Sequence, residues 1–322
     1  MDSDLRPKPK KSGKPLPQRV LFMCFGLYVA AAAVLFSRDA MDTSRIRVTS
    51  TDALSRYFQE IDYGPKVLRV GQAQVPRLVV ADIPQDWADG LSVDKRKSLF
   101  FRSLLPMVLI ANEEILSDRE RLLALQKRVA AEEPVPDRER AWFEDLAERY
   151  GMAPEDREDA VALTSDAIRL ILPRVDMIPP SLALAQAAVE SAYGTSRFAS
   201  EGNALYGQWH LGRGLVPGEQ RTELGDWRIK AFDTPLGSVR AYMRNLNTNR
   251  AYAPFRQLRA KARASSEVPR AAPLAAGLLA YSEKGQAYVS LLRSLIARNG
   301  LSATDTARLR AMHAIRITTG PL

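Results

Sequence analysis

The stretch Ser181-Leu-Ala-Leu-Ala-Gln-Ala-Ala-Val-Glu190 decides the fold of this chain. It is apolar nearly all round, which is typical of a helix buried in the core of a domain. Pro180 precedes it and Gly194 is placed as a C-terminal cap, so the pattern predicts a helix over residues 181–193. Glu190, in the last turn, carries the only ionisable side chain of the quoted stretch. Burial and the negative end of the helix dipole both raise the pKa of a carboxyl group, as a general acid at neutral pH requires.

The composition of the 322 residues limits the classes of protein that fit. With 46% hydrophobic and 26% charged residues, the chain is globular and long enough for one substantial domain and a smaller one. The single cysteine, Cys24, excludes an intramolecular disulfide. His210 and His313 belong to no cluster with the spacing of metal ligands or of a catalytic triad. We therefore expect neither a metal ion nor a cofactor.

The net charge of +9, with a pI near 9.7, indicates either a solvated basic face or attraction to a polyanion. Part of the charge lies in residues 1–19, and a second concentration lies in residues 240–270. No segment resembles a recognition helix, a zinc finger or an aromatic RNA-binding motif, so nucleic acid is not an expected partner. Anionic lipid and the cell wall stay open as partners.

An apolar run near the start of the chain predicts a membrane segment. Residues 20–36 are 17 consecutive apolar and small residues, at the short end of what spans a bilayer. The basic tail 1–19 before it places the N-terminus in the cytoplasm, with the body of the chain on the periplasmic side, facing the cell wall. A cleaved signal peptide is the alternative, but Arg38 would occupy the −3 position for cleavage after Ala40. We favour an uncleaved single-pass anchor over residues 20–37, in the inner (cytoplasmic) membrane.

Beyond the anchor, the patterns predict a mainly α fold of the α+β class, with one small β lobe beside a cleft. Residues 38–94 form a mixed linker and strand region, with strand-like runs at 67–70 and 77–80. Residues 95–172 form a helical region. Its predicted helices are 95–131, kinked at Pro106, then 138–150 and 155–172. A small hairpin is expected within 207–233, followed by helices at 236–246, 272–281 and 287–297.

Several motifs in this part of the chain are similar to one enzyme family. They are Glu190-Ser191-Ala-Tyr193-Gly194-Thr195-Ser196-Arg197-Phe198, Gly202-Asn203-Ala-Leu-Tyr206-Gly207-Gln208-Trp209, Phe232-Asp233, Val239-Arg-Ala-Tyr242-Met-Arg-Asn245-Leu-Asn247 and Tyr281-Ser-Glu283-Lys-Gly285-Gln-Ala-Tyr288. Together they resemble the glucosaminidases of glycoside hydrolase family 73, and within them the Bax-type branch. The resemblance covers roughly residues 173–300, and residues 95–119 also look like the Bax-type N-terminal region. Residues 301–322 are left as a C-terminal tail.

The resemblance implies a lysozyme-like catalytic domain that cleaves peptidoglycan as an endo-β-N-acetylglucosaminidase, with Glu190 as the proton donor. It also implies that Asn203 and the backbone at Tyr206 and Gly207 hold the N-acetyl group of the sugar. Trp209 and the Tyr206 ring either stack on sugars or belong to the core. Tyr288 resembles the tyrosine on the cleft floor of the lysozyme superfamily. The remaining substrate-binding candidates are Gln208 and Tyr281.

The second carboxylate of a two-carboxylate mechanism is open. Glu219, Glu223 and Asp226 lie in the predicted hairpin, and Glu223 is the first choice. Without such a partner, the substrate's own N-acetyl group or a water held by a tyrosine would serve.

Two other functions stay open: a lytic transglycosylase, which needs one glutamate, and a non-catalytic wall-binding scaffold. The reaction product separates the two enzymes, because transglycosylation leaves an anhydro sugar and hydrolysis leaves a reducing end.

Overall fold

The computed structural model describes residues 44–84, 86–87, 89–152, 161–211, 214–216 and 227–319. The described α-helices are α1 Thr51–Glu60, α2 Val93–Ala130, α3 Asp137–Arg149, α4 Ser165–Ile171, α5 Pro180–Glu190, α6 Arg197–Gly202, α7 Pro235–Thr248, α8 Ala253–Ala264, α9 Ala271–Leu274 and α10 Gln286–Asn299. The described strands are β1 Ser44–Arg47, β2 Gln74–Val75, β3 Leu78–Val80, β4 Trp209–Leu211, β5 Trp227–Ile229, β6 Arg308–Leu309 and β7 Ile315–Thr318. The expected mainly helical α+β fold is confirmed.

Helix α2 is the central element of the fold. Ser92 caps its first turn by accepting a hydrogen bond from the Lys95 N–H. The helix continues through Pro106, and its residues 99–112 are buried on every side. It packs against α5 and α7. A helix buried all round fixes the positions of the elements that surround it, and the predicted helix 95–131 is confirmed.

The interior has two hydrophobic clusters that α2 connects. The larger cluster joins the first half of α2 to α5, α7 and α10. The smaller cluster joins the second half of α2 to α3 and α4, through side chains such as Leu122, Phe143 and Ile168. Phe143 and Ile168 have no exposed surface, so the smaller cluster is a true core. Residues 153–160, which include the first part of the predicted helix 155–172, lie outside the described residues.

Two small parallel sheets join the beginning of the described chain to its end. Strand β7 lies between β1 and β3, and Ile315 pairs with Ser44 on one side and with Leu78 on the other. Strands β2 and β6 form the second pair. The segment 301–322, expected as a tail, therefore contains regular elements through residue 318. The predicted domain boundaries themselves stay predictions.

Some local predictions differ from the structure. The prediction of a strand at 67–70 is wrong, because a 3-10 helix that begins at Pro65 covers Pro65–Leu68. The run 77–80 is confirmed as β3. Residues 272–281 are helical but split between α9 and a 3-10 helix at Ala275–Tyr281. Helices α1, α6 and α8 were not predicted.

The small β lobe is an antiparallel pair of strands, as the hairpin prediction required. Trp209 pairs with Ile229, and Leu211 pairs with Trp227. The three acidic candidates for a second carboxylate fall on residues 217–226, which lie outside the described residues. The predicted membrane anchor 20–37 also lies outside them. Among the residues that are described, no helix has both the length and the hydropathy needed to cross a bilayer.

Candidate active site

Helix α5 carries Glu190 and is held at both ends. At its start, the Asp305 carboxylate accepts a hydrogen bond of 2.8 Å from the Ser181 N–H. Residues 180–188 are all buried, and the helix packs against α2 and α10. The helix ends at Glu190 rather than at residue 193, because Ala192, Tyr193 and Gly194 have φ angles of 50°, 59° and 80°. Three successive left-handed residues cannot continue a right-handed helix.

The turn after Glu190 is fixed by hydrogen bonds. Ser191 Oγ donates to the Ala187 carbonyl at 2.6 Å and accepts from the Gly194 N–H at 2.9 Å. Trp87 Nε1 donates to the Tyr193 carbonyl at 2.9 Å. A Cβ atom at Gly194 would lie 2.8 Å from Trp87 Nε1, so this position requires glycine. The glutamate-serine motif thus serves to anchor the end of the helix that presents the acid.

Three buried side chains form a directed chain of hydrogen bonds that ends at Glu190. Tyr242 Oη donates to Gln186 Oε1 at 2.6 Å. Gln186 Nε2 donates to Tyr288 Oη at 3.1 Å. Tyr288 Oη donates to Glu190 Oε1 at 2.7 Å. Gln186 and Tyr242 have no exposed surface, so the chain orients the carboxyl group from inside the protein.

Burial raises the pKa of Glu190, and the hydrogen bond from Tyr288 and the charge of Lys284 offset this rise only in part. The expected direction of the shift is therefore confirmed, with burial as its cause. Burial and the negative charge of Glu190 also raise the pKa of Tyr288, which therefore stays a hydrogen-bond donor. A carboxyl group in this environment can hold a proton at a pH where an exposed glutamate is ionised.

The second oxygen of Glu190 faces a glycine. Gly207 has a φ of +59°, and a Cβ atom there would lie 3.8 Å from Glu190 Oε2. A side chain at this position would fill the space beside the carboxyl group, whereas glycine leaves it open. Since Tyr288 occupies Oε1, the oxygen that borders the open space is Oε2. This is the oxygen from which a proton can reach a bound molecule.

Stacked tyrosines hold Gly207 in place. Tyr281 stacks on Tyr288, with ring centroids 5.5 Å apart, and its hydroxyl donates to the Tyr206 carbonyl at 3.2 Å. Tyr206 stacks on Tyr242 at 3.9 Å and is only 2% exposed. The Tyr206 ring is thus a core residue in this structure and offers no face to a sugar. Its backbone, next to Gly207, still borders the site.

Asn203 ends α6 and ties it to the segment after β5. It ends α6 in the left-handed conformation, with a φ of 51°. Its Nδ2 donates to the Phe232 carbonyl at 3.0 Å, which ties α6 to the segment after β5. Among the described residues, no group donates to its Oδ1, so this oxygen remains able to accept a hydrogen bond from an amide N–H.

The β lobe presents two tryptophans. Trp209 is 56% exposed and Trp227 is 37% exposed. The register places them diagonally on the same face of the β4–β5 pair. The Gln208 carbonyl accepts from the Lys230 N–H at 2.8 Å, while Gln208 Oε1 is buried without a partner among the described residues. The exposed rings make this face suited to stacking on sugars.

The structure brings together Glu190, Tyr288, Tyr281 and Gly207, as expected of one site. The sequence predictions missed Gln186, Tyr242 and Trp227. Gln186 did carry a signal, because it is the only amide in the otherwise apolar stretch before Glu190. A buried amide of this kind requires hydrogen-bond partners.

No second acid is identified within the described part of the chain. The described groups that shift the pKa of Glu190 are Tyr288 and Lys284, and neither is a carboxylate. Within the same residues, no group of three or more His, Cys, Asp or Glu side chains could hold a metal ion. That the chemistry needs no metal or cofactor stays a prediction.

Comparison with known proteins adds two matches. Residues 169–301 match a protein family described as Glucosaminidase, mannosyl-glycoprotein endo-beta-N-acetylglucosaminidase. Over 220 residues the chain is 32% identical to Protein bax of Escherichia coli (strain K12), which covers 68% of this chain and 72% of that protein. No solved structure matches the chain. The region matched by the family contains Glu190 and each of the side chains that surround it.

Proposed function

The chain belongs to the Bax-type glucosaminidase-domain family, and we propose that it hydrolyses the glycan of peptidoglycan as an endo-β-N-acetylglucosaminidase. Glu190 is the general acid in this proposal. The observation that carries it is the environment of that carboxyl group, which is buried, held through one oxygen by Tyr288 and open on the other side at Gly207. A scaffold without activity would have no need of a glutamate with a raised pKa.

The proposed reaction uses the two oxygens of Glu190 differently. Tyr288 fixes Oε1, and Oε2 gives its proton to the glycosidic oxygen as the bond to the sugar breaks. Positive charge then develops on the sugar ring, and a water molecule adds to the anomeric carbon and gives up one proton, either to a second carboxylate or to the ionised Glu190. Asn203 Oδ1 and the backbone at Gly207 are suited to hold the N-acetyl group, while Trp209 and Trp227 stack on neighbouring sugars.

A second carboxylate would activate the water or stabilise the ring cation. Glu223 remains our first choice, ahead of Glu219 and Asp226. Replacing each separately by its amide tests the choice, because loss of such a group lowers kcat and leaves glycan binding nearly unchanged. If all three effects are small, the acetamido group of the substrate or a bound water takes this role, and the assignment of Glu223 is wrong.

The test of the proposed function is the digestion of purified peptidoglycan, with the products identified by mass spectrometry. We expect fragments that end in reducing N-acetylglucosamine. Fragments that lack one water and end in an anhydro sugar would instead identify a lytic transglycosylase. Binding of the glycan with no fragments released would favour a wall-binding scaffold.

We also propose that residues 20–37 anchor the protein in the inner membrane, with the catalytic body in the periplasm. Support comes from the apolar run and the basic tail before it. Full-length protein is expected in the membrane fraction after a high-salt wash, with its C-terminus open to protease added to the periplasm. A soluble protein shortened at its N-terminus would identify a cleaved signal peptide instead.

A further inference from the structure

One face of α10 leads from Tyr288, the hydrogen-bond partner of Glu190, to a groove. Tyr288, Leu291, Leu295 and Arg298 follow each other at helical spacings of three and four, so they line one face. Tyr288 contacts Glu190 at one end of this face. At a rise of about 1.5 Å per residue, Arg298 lies about 15 Å further along the helix.

The groove continues directly from the end of α5. A cavity of about 640 Å³ is lined by Val189 and Ala192, on either side of Glu190 in sequence, and by Leu291 and Leu295 on α10. Its far end is lined by Arg298 and by side chains from the start of α2. The near end is thus apolar and is lined by residues that flank Glu190 in the chain, whereas the far end is basic.

A second cavity continues from that basic end. It has a volume of about 780 Å³ and shares four lining residues with the first, namely Arg69, Asp94, Lys97 and Asn299. Further cations that line it are Arg56, Lys66 and Lys95. Asp52 and Asp94 are its only acidic lining residues among those described. The two cavities together therefore have a clear excess of positive charge.

These cations have no anionic partners within the described residues. Neither Arg69, Lys97 nor Arg298 is among the described ion pairs, whereas Arg77, Arg149 and Arg240 elsewhere on the surface each contact a carboxylate. Arg102, which also lines the second cavity, is only 5% exposed, and its Nε has no partner among the described residues. Uncompensated positive charge in a concave site attracts anions.

We propose that this basic groove binds the carboxylates of the peptides attached to the wall glycan, and so directs the enzyme to peptide-bearing strands. The proposal rests on the proposed function and names the form of its substrate. An extended peptide of four residues spans about 13 Å, close to the rise of about 15 Å along α10 from Tyr288 to Arg298. The groove begins at Val189 and Ala192, which flank Glu190 in the chain, and this position favours a ligand that arrives with the glycan over a lipid headgroup.

The test uses full-length protein with Glu190→Gln, so that binding is measured without turnover. The groove variant adds Arg69→Gln, Lys97→Gln and Arg298→Gln. The matched control adds Arg45→Gln, Lys127→Gln and Arg140→Gln, which are exposed cations outside both cavities. Each is bound to immobilised glycan strands that carry their peptides, and to the same strands after an amidase has removed the peptides. Circular dichroism checks that every variant is folded.

We expect the groove variant to bind peptide-bearing strands about tenfold more weakly than the control, and this difference to shrink at high salt. Both variants should bind stripped strands equally. Equal affinities on peptide-bearing strands, or the same loss on both kinds of strand, would overturn the proposal. Binding of both variants to vesicles of phosphatidylglycerol is measured as well. If the groove variant loses affinity for the vesicles and not for the glycan strands, the proposal is overturned in favour of a lipid headgroup. Hydrolysis is measured separately, as reducing-end release by the protein with Glu190 intact. A protein that binds peptide-bearing strands through the groove but releases no reducing ends would contradict the proposed hydrolysis and not the proposed peptide binding.

Discussion

Asp176 precedes helix α5 and Glu190 is its last residue, and the pKa values of these two carboxyl groups are shifted in opposite directions. Burial alone would raise the pKa of Asp176, but the hydrogen bond from Arg263 and the charges of Arg259 and Arg119 outweigh it, and that pKa is lowered. Burial raises the pKa of Glu190, which has one tyrosine as its hydrogen-bond partner and only a weak offset from Lys284.

Burial raises both pKa values, so the opposite directions of the two shifts come from the partners. Arg263 contacts Asp176 through two nitrogens, at 2.8 Å and 3.1 Å, and Arg259 binds the carbonyls of the same segment. An ionised carboxylate paired in this way stabilises the fold and has no proton to give. A carboxyl group without such a cation holds its proton to a higher pH, and its ionised form destabilises the fold. The arrangement of charges therefore separates a structural carboxylate, Asp176, from the proposed general acid, Glu190.

The largest expected effect is on activity. Glu190→Gln removes the proton donor, and we expect reducing-end release from peptidoglycan to fall by roughly 10²–10⁴-fold with the fold unchanged. Activity is measured from reducing ends, and folding from circular dichroism. Near-wild-type release by a folded Glu190→Gln protein would show that another group donates the proton.

Asp176→Asn is expected to act on stability. It leaves Arg259 in the interior, and Arg263 beside it, without their anionic partner, and loss of one partner of a buried ion pair typically costs about 3–5 kcal/mol. Urea unfolding at pH 7 measures this loss. The matched control is Asp145→Asn, which removes a mostly exposed partner of Arg149 and should cost about 1 kcal/mol or less.

The same comparison predicts a pH dependence for Asp176. Because its pKa is lower in the folded state, the stability that it contributes is present above its unfolded pKa and is lost as the pH falls through the folded pKa. The difference in unfolding free energy between wild type and Asp176→Asn should therefore narrow in acid. A constant difference from neutral to strongly acidic pH would contradict the ion-pair explanation.

Tyr288→Phe sharpens the description of Glu190. It removes one hydrogen bond to the carboxyl group, and we expect kcat to fall about tenfold. The Tyr288 bond lowers the Glu190 pKa, so its loss should shift the alkaline limb of the pH–rate profile to higher pH. Tyr63→Phe is the control, because it removes a buried hydrogen bond to the Arg102 carbonyl, away from Glu190. A lower kcat with no shift of the alkaline limb would mean that Tyr288 acts only through packing.

The smallest effect is a gain of stability at Glu190. The pKa of Glu190 is raised in the folded state. The stability that this carboxyl group contributes is therefore fully present below its unfolded pKa and is lost as the pH rises through its folded pKa. Glu190→Gln removes this loss, and its Tm at pH 7 should exceed that of the wild type by a few degrees. The difference in Tm between Glu190→Gln and the wild type should disappear in acid. A Tm below that of the wild type at pH 7 would contradict a destabilising carboxylate.

Much of the helical frame was predictable because it depends on local patterns. The long helix α2 and the apolar helix α5 are visible as periodic or continuous apolar runs between caps and prolines. The end of α5 was placed three residues too late, since the left-handed turn at Ala192 and Tyr193 has no signature in those residue types. The parallel pairing of β7 with β1 and β3 was missed because it joins distant parts of the chain.

Glu190 was predictable as the candidate acid and Tyr288 was expected from the family resemblance, whereas Gln186 and Tyr242 were missed. Glu190 is the ionisable residue of an apolar helix, which is a local signal. Tyr288 and Tyr242 lie 98 and 56 positions from their hydrogen-bond partners Glu190 and Gln186. Arg259 and Arg263 are similarly distant from Asp176 in sequence. The sequence pattern of an amphipathic helix does not distinguish an arginine that pairs with a buried carboxylate from one that faces solvent. Side-chain partners of this kind are set by tertiary packing.

Whether Glu190 keeps its proton is tested most directly by a carbon-13 NMR titration of the side-chain carboxyl groups, with Glu190→Gln and Asp176→Asn used to assign the two signals. We predict that Glu190 titrates above the ordinary glutamate value of 4.5 and that Asp176 titrates below the ordinary aspartate value of 3.8. A Glu190 signal that titrates at or below 4.5 would contradict its assignment as the general acid.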